Sequence, residues 1–298
     1  MKIAESLVLA TETLSEAGIA DARLEAEVLL RHVLGADRAG FFASVREELR
    51  PPREHHMGHL VQRRVRHEPL AYITGHREFY GLDFAVNPGV LIPRQETELL
   101  VEKALEFCSS LRPDAQPTIA DIGTGSGAIA IAIAHHASRA TIHATDTSLS
   151  ALATADVNRH RHGVANRVHL HPGDLLGALT ASVDLVVSNL PYIPTDEISG
   201  LALELRREPR SSLNGGGDGL DLIRRLLGQV AGRVRPYGRV LLEISPEQLE
   251  SVCAAATVSV PRAHVSFHRD LLGLPRAVEV RLDGTARNAV HPHRGARA

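Results

Sequence analysis

Thr118-Ile119-Ala120-Asp121-Ile122-Gly123-Thr124-Gly125-Ser126-Gly127-Ala128-Ile129 is an apolar run that breaks into three spaced glycines and resumes as an apolar stretch. A strand over 118–122 and a helix over 128–137 would place a turn without Cβ atoms at the carboxyl edge of a parallel sheet, where backbone can pass close to a nucleotide. Asp146 closes the next expected strand, 141–145, at the distance where a carboxylate accepts from ribose hydroxyls. The spacing leaves the nucleotide open. Gly123, Gly125 and Ala128 also satisfy the dinucleotide form G-x-G-x-x-A, so a dehydrogenase fits the loop as well.

Reading outward, apolar strands and helical stretches alternate. Helices are expected over 94–107, 149–161, 219–230 and 246–256, and strands over 167–170, 183–188, 239–244, 264–267 and 277–282. This alternation implies an α/β domain over 94–284 with a parallel sheet covered on both faces, closed by an antiparallel pair. Upstream, residues 1–69 read as a small all-helical domain, with Leu24, Val28, Leu29 and Val33 repeating after Asp21, a candidate N-cap. Residues 70–93 carry short Tyr, Ile, Phe and Val segments between Gly75, Gly81 and Asn87-Pro88-Gly89, the grammar of a linking β-hairpin. The tail 285–298, rich in Arg, His, Pro and Gly, reads as disordered. No internal repeat is visible.

Composition bounds the function. The 298 residues are 44% hydrophobic and 23% charged, enough for a full core. With 33 basic and 35 acidic residues the formal net charge is −2, so no global field draws the chain onto nucleic acid or an anionic membrane. The 3% aromatic content without Trp argues against a base-stacking platform. Cys108 and Cys253 form no disulfide framework or zinc spacing, and no signal peptide or spanning segment is visible, so the cytoplasm is expected. The 17 histidines fall in pairs such as His55-His56, His135-His136, His169/His171 and His291/His293 with no third ligand at a recognisable spacing, so no metal is expected. Arg50, Arg53, Arg63, Arg64 and Arg66 form the one basic patch. Interleaved with Glu54 and Glu68, it reads mainly as a solvated helix surface, with docking to the ribosome or to a protein substrate as the functional alternative.

The cofactor is decided further along. Ser188-Asn189-Leu190-Pro191-Tyr192 follows the apolar run 183–187 and therefore shares the carboxyl edge with the glycine loop. The Asn189 carboxamide oxygen and the Leu190 carbonyl can accept both hydrogens of a planar NH2 group, while Pro191 stiffens the turn and Tyr192 packs on the substrate plane. A conjugated nitrogen so held is aimed at an incoming methyl carbon, and no strong base is needed because the nitrogen becomes acidic once alkylated. Without a ligand, the same residues would be a tight Asn-Pro turn closing a strand.

These residues resemble the class I S-adenosylmethionine-dependent methyltransferases, and among them the HemK family of protein-(glutamine-N(5)) methyltransferases that modify peptide-chain release factors. The resemblance extends through Glu68-Pro69-Leu70-Ala71-Tyr72-Ile73-Thr74-Gly75, Arg77-Glu78-Phe79-Tyr80-Gly81-Leu82 and Leu91-Ile92-Pro93-Arg94-Gln95-Glu96-Thr97-Glu98. It continues through Glu208-Pro209-Arg210, Gly217-Asp218-Gly219-Leu220-Asp221 and Arg269-Asp270-Leu271, covering residues 5–282. It implies a seven-stranded Rossmann-like methyltransferase sheet, mostly parallel with an antiparallel last strand, preceded by a helical domain that docks the release factor. It also implies that Gly123, Thr124, Gly125, Ser126 and Gly127 line the methionine part of S-adenosylmethionine and that Asp146 holds the ribose. Asp174 and Leu175 would lie by the adenine. Asn189, Leu190, Pro191 and Tyr192 would grip the glutamine amide, with Asn189 also close to the cofactor.

Three positions depart from the family pattern. Leu190 stands where Pro is usual, so one ring that fixes the direction of the backbone carbonyl is lost. Leu175 replaces a frequent aromatic and Gln95 a common Pro. Asn-Leu-Pro-Tyr is also similar to the motif of ribosomal RNA adenine dimethyltransferases. Methylation of an adenine amine, methylation of a ribosomal-protein glutamine, and non-catalytic cofactor binding through partners therefore stand as alternatives. The expected partner is a release factor, with ribosome association open and direct nucleic-acid or membrane binding not expected.

Overall fold

A computed structural model describes residues 1–284. The tail expected to be disordered lies outside the described residues, as do His291 and His293.

The chain opens with helices α1 (Ile3–Glu16), α2 (Ala22–Leu34), α3 (Arg38–Ser44) and α4 (Pro51–Val65). Local chemistry sets their ends. Asp37 caps α3 by accepting from Gly40 N at 2.7 Å, Gly35 ends α2 in the left-handed region, and Pro51-Pro52 occupy the first turn of α4, where no amide partner is missed. Asp21 precedes α2 without making a side-chain cap. The apolar repeat is shifted from the sequence reading: α2 buries Ala22, Ala26, Leu29, Leu30 and Val33, whereas Leu24 is exposed. The next segment also differs. Leu70–Thr74 is not hairpin but a short helix, α5, whose Ile73 joins the core of the helical domain.

The hairpin proper is β1 (His76–Phe79) with β2 (Leu82–Ala85), turning through Tyr80 and Gly81, both at positive φ. It inserts Phe79 and Phe84 into the core of the second domain. That domain runs α6 (Glu98–Ser110), β3 (Thr118–Ile122), α7 (Ala128–His136), β4 (Thr141–Asp146), α8 (Leu149–Arg161), β5 (Val168–Pro172), β6 (Val183–Ser188), α9 (Asp221–Arg233), β7 (Val234–Glu243), α10 (Leu249–Ser259), β8 (His264–Arg269) and β9 (Pro275–Arg281).

The seven strands lie in the order β5-β4-β3-β6-β7-β9-β8, and β9 alone runs antiparallel to the other six. The fold class is therefore as expected. α6 and α7 cover one face over Ile119, Ile142 and Leu185, and α9 and α10 cover the other over Ala120, Val186 and Val240. The strand order reverses between β3 and β6, which opens a crevice at their carboxyl ends. The glycine loop leaves β3 and the Asn189 segment leaves β6, so both motifs stand at that crevice.

One member of the basic patch is not a surface group. Arg64 of α4 is 2% exposed and paired with Glu25 of α2 and with Glu204, which follows β6 in the second domain. Arg63 pairs with Glu68, and Arg207 Nη2 donates to Arg66 O at 3.0 Å. The solvated-surface reading is corrected for Arg64, because its two partners lie far along the chain.

Candidate active site

The glycine loop is shaped from inside. Asp121 is fully buried at the end of β3, where its Oδ2 accepts from Thr124 Oγ1 at 2.6 Å and from Ala130 N at 3.2 Å. Burial pushes this carboxyl up to about 7, with Thr124 and Ala130 opposing the rise and the Asp146 charge adding to it. Thr124 and Ser126 are buried in the protein, and a Cβ on Gly127 would meet Ile131 Cδ1 at 2.9 Å. Gly123 and Gly125 line the crevice instead, both at positive φ. A Cβ on Gly125 would meet nothing within 4 Å, so the loop leaves an open cradle there. Asp146, at the end of β4, braces the cradle by accepting from Gly125 N at 2.9 Å and Ser148 N at 2.8 Å. Two backbone donors leave further lone pairs on its oxygens for hydroxyl groups. Leu175, at φ +51, lines the same cavity, as does Asp174, whose carboxylate is paired with Arg225.

A second cavity abuts the first across the Asn189 segment. Asn189, Leu190 and Pro191 wall both, while Tyr192, Arg94, Glu96, Glu243 and Arg276 face only the second. Leu190 is buried, its Cδ2 lying 3.1 Å from where a Gly123 Cβ would stand, so the apolar side chain seals the two motifs together. Among the described residues no group donates to the Leu190 carbonyl. The backbone on either side of Asn214 holds the segment: Ile193 N donates to Leu213 O at 3.0 Å and Gly215 N donates to Ile193 O at 2.9 Å. Gln248 Nε2 donates to Tyr192 O at 2.8 Å. Gly219, at φ +79, packs so closely under that same carbonyl that a Cβ would overlap it.

Asn189 has a fixed polarity. Its Nδ2 donates to Thr97 Oγ1 at 3.0 Å, and the Thr97 hydroxyl in turn serves Glu243, as does that of Tyr192. While Glu243 is ionised it only accepts, so Thr97 directs its proton to Glu243 and accepts from Nδ2, which leaves Asn189 Oδ1 to face the cavity. Glu243 is fully buried with Oε2 unpartnered. Burial pushes its carboxyl up to about 7, against the pull of Thr97, Arg276 and Tyr192. Burial likewise raises the Tyr192 phenol, which stays neutral.

The sequence reading missed Thr97, Asp121 and Glu243. The only signal was position: Asp121 and Glu243 are acids ending or nearly ending apolar strands at the functional edge. It also did not foresee that Arg94 pairs with buried Glu208, whose Oε2 accepts from Ile92 N at 3.0 Å. That link ties the segment around Arg94 to the segment around Glu208. Among the described residues no cluster of His, Cys, Asp or Glu is arranged to hold a metal ion; His143 Nδ1 and His171 Nε2, 2.9 Å apart, share a hydrogen bond.

The strand order, the glycine loop at its switch point and the paired cavities define a Rossmann-like methyltransferase. Residues 97–231 match the family model of the methyltransferase small domain, and residues 5–75 match that of the PrmC N-terminal domain. A Pyrococcus furiosus methyltransferase of known structure shares the fold at a TM-score of 0.50 with 18% identity, over 70% of this chain and 91% of that one. The release factor glutamine methyltransferase of Moorella thermoacetica is 46% identical over 85% of this chain and 88% of its own length. That of Bradyrhizobium diazoefficiens is 41% identical over 90% and 91%. The chain belongs to the release factor glutamine methyltransferase family.

Proposed function

We propose that the protein transfers a methyl group from S-adenosylmethionine to the side-chain amide nitrogen of the glutamine in the Gly-Gly-Gln loop of a peptide-chain release factor. The observation that carries this reading is Asn189 itself. It stands in the wall shared by the two cavities with its nitrogen tied back to Thr97 and its oxygen free. The amide NH2 of the acceptor would donate one hydrogen to Asn189 Oδ1 and the other to the Leu190 carbonyl, with Tyr192 against its plane. Its nitrogen would then point through the wall toward the first cavity.

The first cavity suits the cofactor. The open cradle at Gly125 and the backbone of Gly123 would take the methionine part, Asp146 the ribose hydroxyls, and Leu175 and Asp174 the neighbourhood of the adenine. S-adenosylmethionine supplies a methyl carbon on a positively charged sulfur. Transfer forms the N–C bond as the C–S bond breaks, releases S-adenosylhomocysteine, and lets the alkylated nitrogen shed a proton to solvent. The residues contribute alignment and acceptors for the developing positive charge. The acceptor's role in translation places the reaction in the cytoplasm, a setting that suits the two free thiols, Cys108 and Cys253.

Incubation with labelled S-adenosylmethionine and, separately, a release factor, a ribosomal protein and ribosomal RNA tests the reading. Label is expected on the release factor and is lost when its loop glutamine is changed to Ala. Label on RNA alone would overturn it in favour of an adenine amine, the reading to which Asn189-Leu190-Pro191-Tyr192 is also similar.

A further inference from the structure

The turn joining β8 to β9 joins two properties that seldom coincide. Its backbone is pinned: Asp270 Oδ1 accepts from Leu272 N and Leu274 N, both at 3.0 Å, and Arg269 Nη1 donates to Gly273 O at 2.6 Å. Yet what this rigid turn presents is bare hydrocarbon, with Leu271 98% and Leu272 83% exposed. Single exposed apolar residues are ordinary, but two adjacent leucines held out on an ordered tip form a surface built to be covered. The tip is also tied to the acceptor cavity. Asp270 Oδ2 takes Arg276 through Nε and Nη2 at 3.2 Å, and Arg276 lines that cavity beside Tyr192 and Glu243.

We propose that Leu271 and Leu272 form a docking knob for the acceptor protein, seated in an apolar depression of the release factor next to its glutamine loop. This rests on the acceptor being a protein, as argued above. Because β9 runs antiparallel to β7, the turn before it lies at the carboxyl edge of the sheet, at the mouth of the acceptor cavity. A loop that enters this mouth brings the flanking surface of its own protein against the rim. A second copy of the chain seated there would obstruct the entrance instead. The tip carries two cations, Arg269 and Arg276, and Asp270 neutralises the second, which falls short of the basic cluster that draws a segment to an anionic membrane.

The test is the Leu271→Asp/Leu272→Asp double variant of the full chain, assayed with an intact release factor and with a short synthetic peptide carrying Gly-Gly-Gln. Both positions are solvent-exposed, and an unchanged melting temperature and S-adenosylhomocysteine affinity would show that the variant is folded. KM for the intact factor is expected to rise at least about tenfold with kcat within about twofold. Methylation of the peptide should be unaffected, and Leu271→Met/Leu272→Met should restore the intact factor's KM. An unchanged KM for the intact factor would overturn the proposal. So would an equal loss on both acceptors, which would make the tip a support of the cavity, or dispersal of a dimer by the double variant in light scattering. If the unaltered protein labelled neither acceptor, the functional reading itself would fall and the knob with it.

Discussion

The glycine loop and the Asn189 segment leave adjacent strands at one crevice, yet they are held in opposite ways. The loop is braced mainly by neighbours in sequence: Asp121, Thr124, Ala130 and Asp146 lie within one βαβ unit, and Asn158 of the next helix donates to Ser126 O at 2.8 Å. The Asn189 segment is braced by Thr97, Leu213, Gly219, Glu243 and Gln248, drawn from three separate parts of the chain. A locally braced loop serves a ligand common to many enzymes. Under the proposed function the Asn189 segment, braced from afar and meeting the loop at Leu190 and Gly123, is the part that would select the acceptor.

If this division is sound, damage should divide in the same way. Asn189→Ala removes the acceptor that orients the amide, and kcat is expected to fall about 100- to 1,000-fold while S-adenosylhomocysteine affinity by calorimetry stays within about twofold. A proportionate loss of both would erase the contrast. Asp146→Ala should do the reverse. Loss of one charge-assisted hydrogen bond, worth roughly 1.5–3 kcal/mol, weakens cofactor affinity about 10- to 150-fold. The value of kcat at saturating cofactor should be largely preserved.

The polarity of Asn189 gives a pH signature confined to the acceptor side. As pH falls through about 7, Glu243 takes a proton and can donate to Thr97, which frees Asn189 to turn its NH2 toward the substrate. The value of kcat is therefore expected to drop about tenfold per unit below this pH, and Glu243→Gln should flatten the profile. Stability should move in the opposite direction. Asp121 and Glu243 are both raised to about 7 in the fold, so the native state binds more protons than the unfolded chain between the ordinary carboxylate range and pH 7. Their contribution to stability is full below that range and is lost as pH rises through 7, a trend that thermal melts between pH 5 and 8 would show. The smallest effect is expected of Leu190→Pro, which keeps the carbonyl and should leave transfer to glutamine within about twofold. A sharp loss would show that the sealing contact with Gly123 matters more than the backbone.

The same contrast explains what could be read from the chain. β3, α8 and β6 have the bounds expected from sequence, because Gly, Ser and Pro punctuate strongly periodic runs there. β7 begins five residues early, at Val234, since Arg235-Pro236-Tyr237-Gly238, turn-like in sequence, is bulged out between the pairs Val183–Val234 and Leu185–Arg239. Leu70–Thr74 carries a strand-like composition and is overruled by packing against the helical domain. At the site, the residues on the two loops were visible because glycine and Asn-Pro motifs announce themselves. Thr97 and Glu243 were not. A threonine before a helix and an acid at a strand end are commonplace until the fold brings them to Asn189.

Arg64 carries a last consequence. Its guanidinium belongs to the helical domain, but one of its two carboxylate partners belongs to the methyltransferase domain. Opening the methyltransferase domain alone would leave Arg64 with Glu25 as its one carboxylate partner, and opening the helical domain alone would leave Glu204 without Arg64, so separating the domains costs this ion pair. This pair is expected to couple the two domains thermally: calorimetry on the whole chain should record one heat-absorption peak, and Arg64→Ala should broaden it.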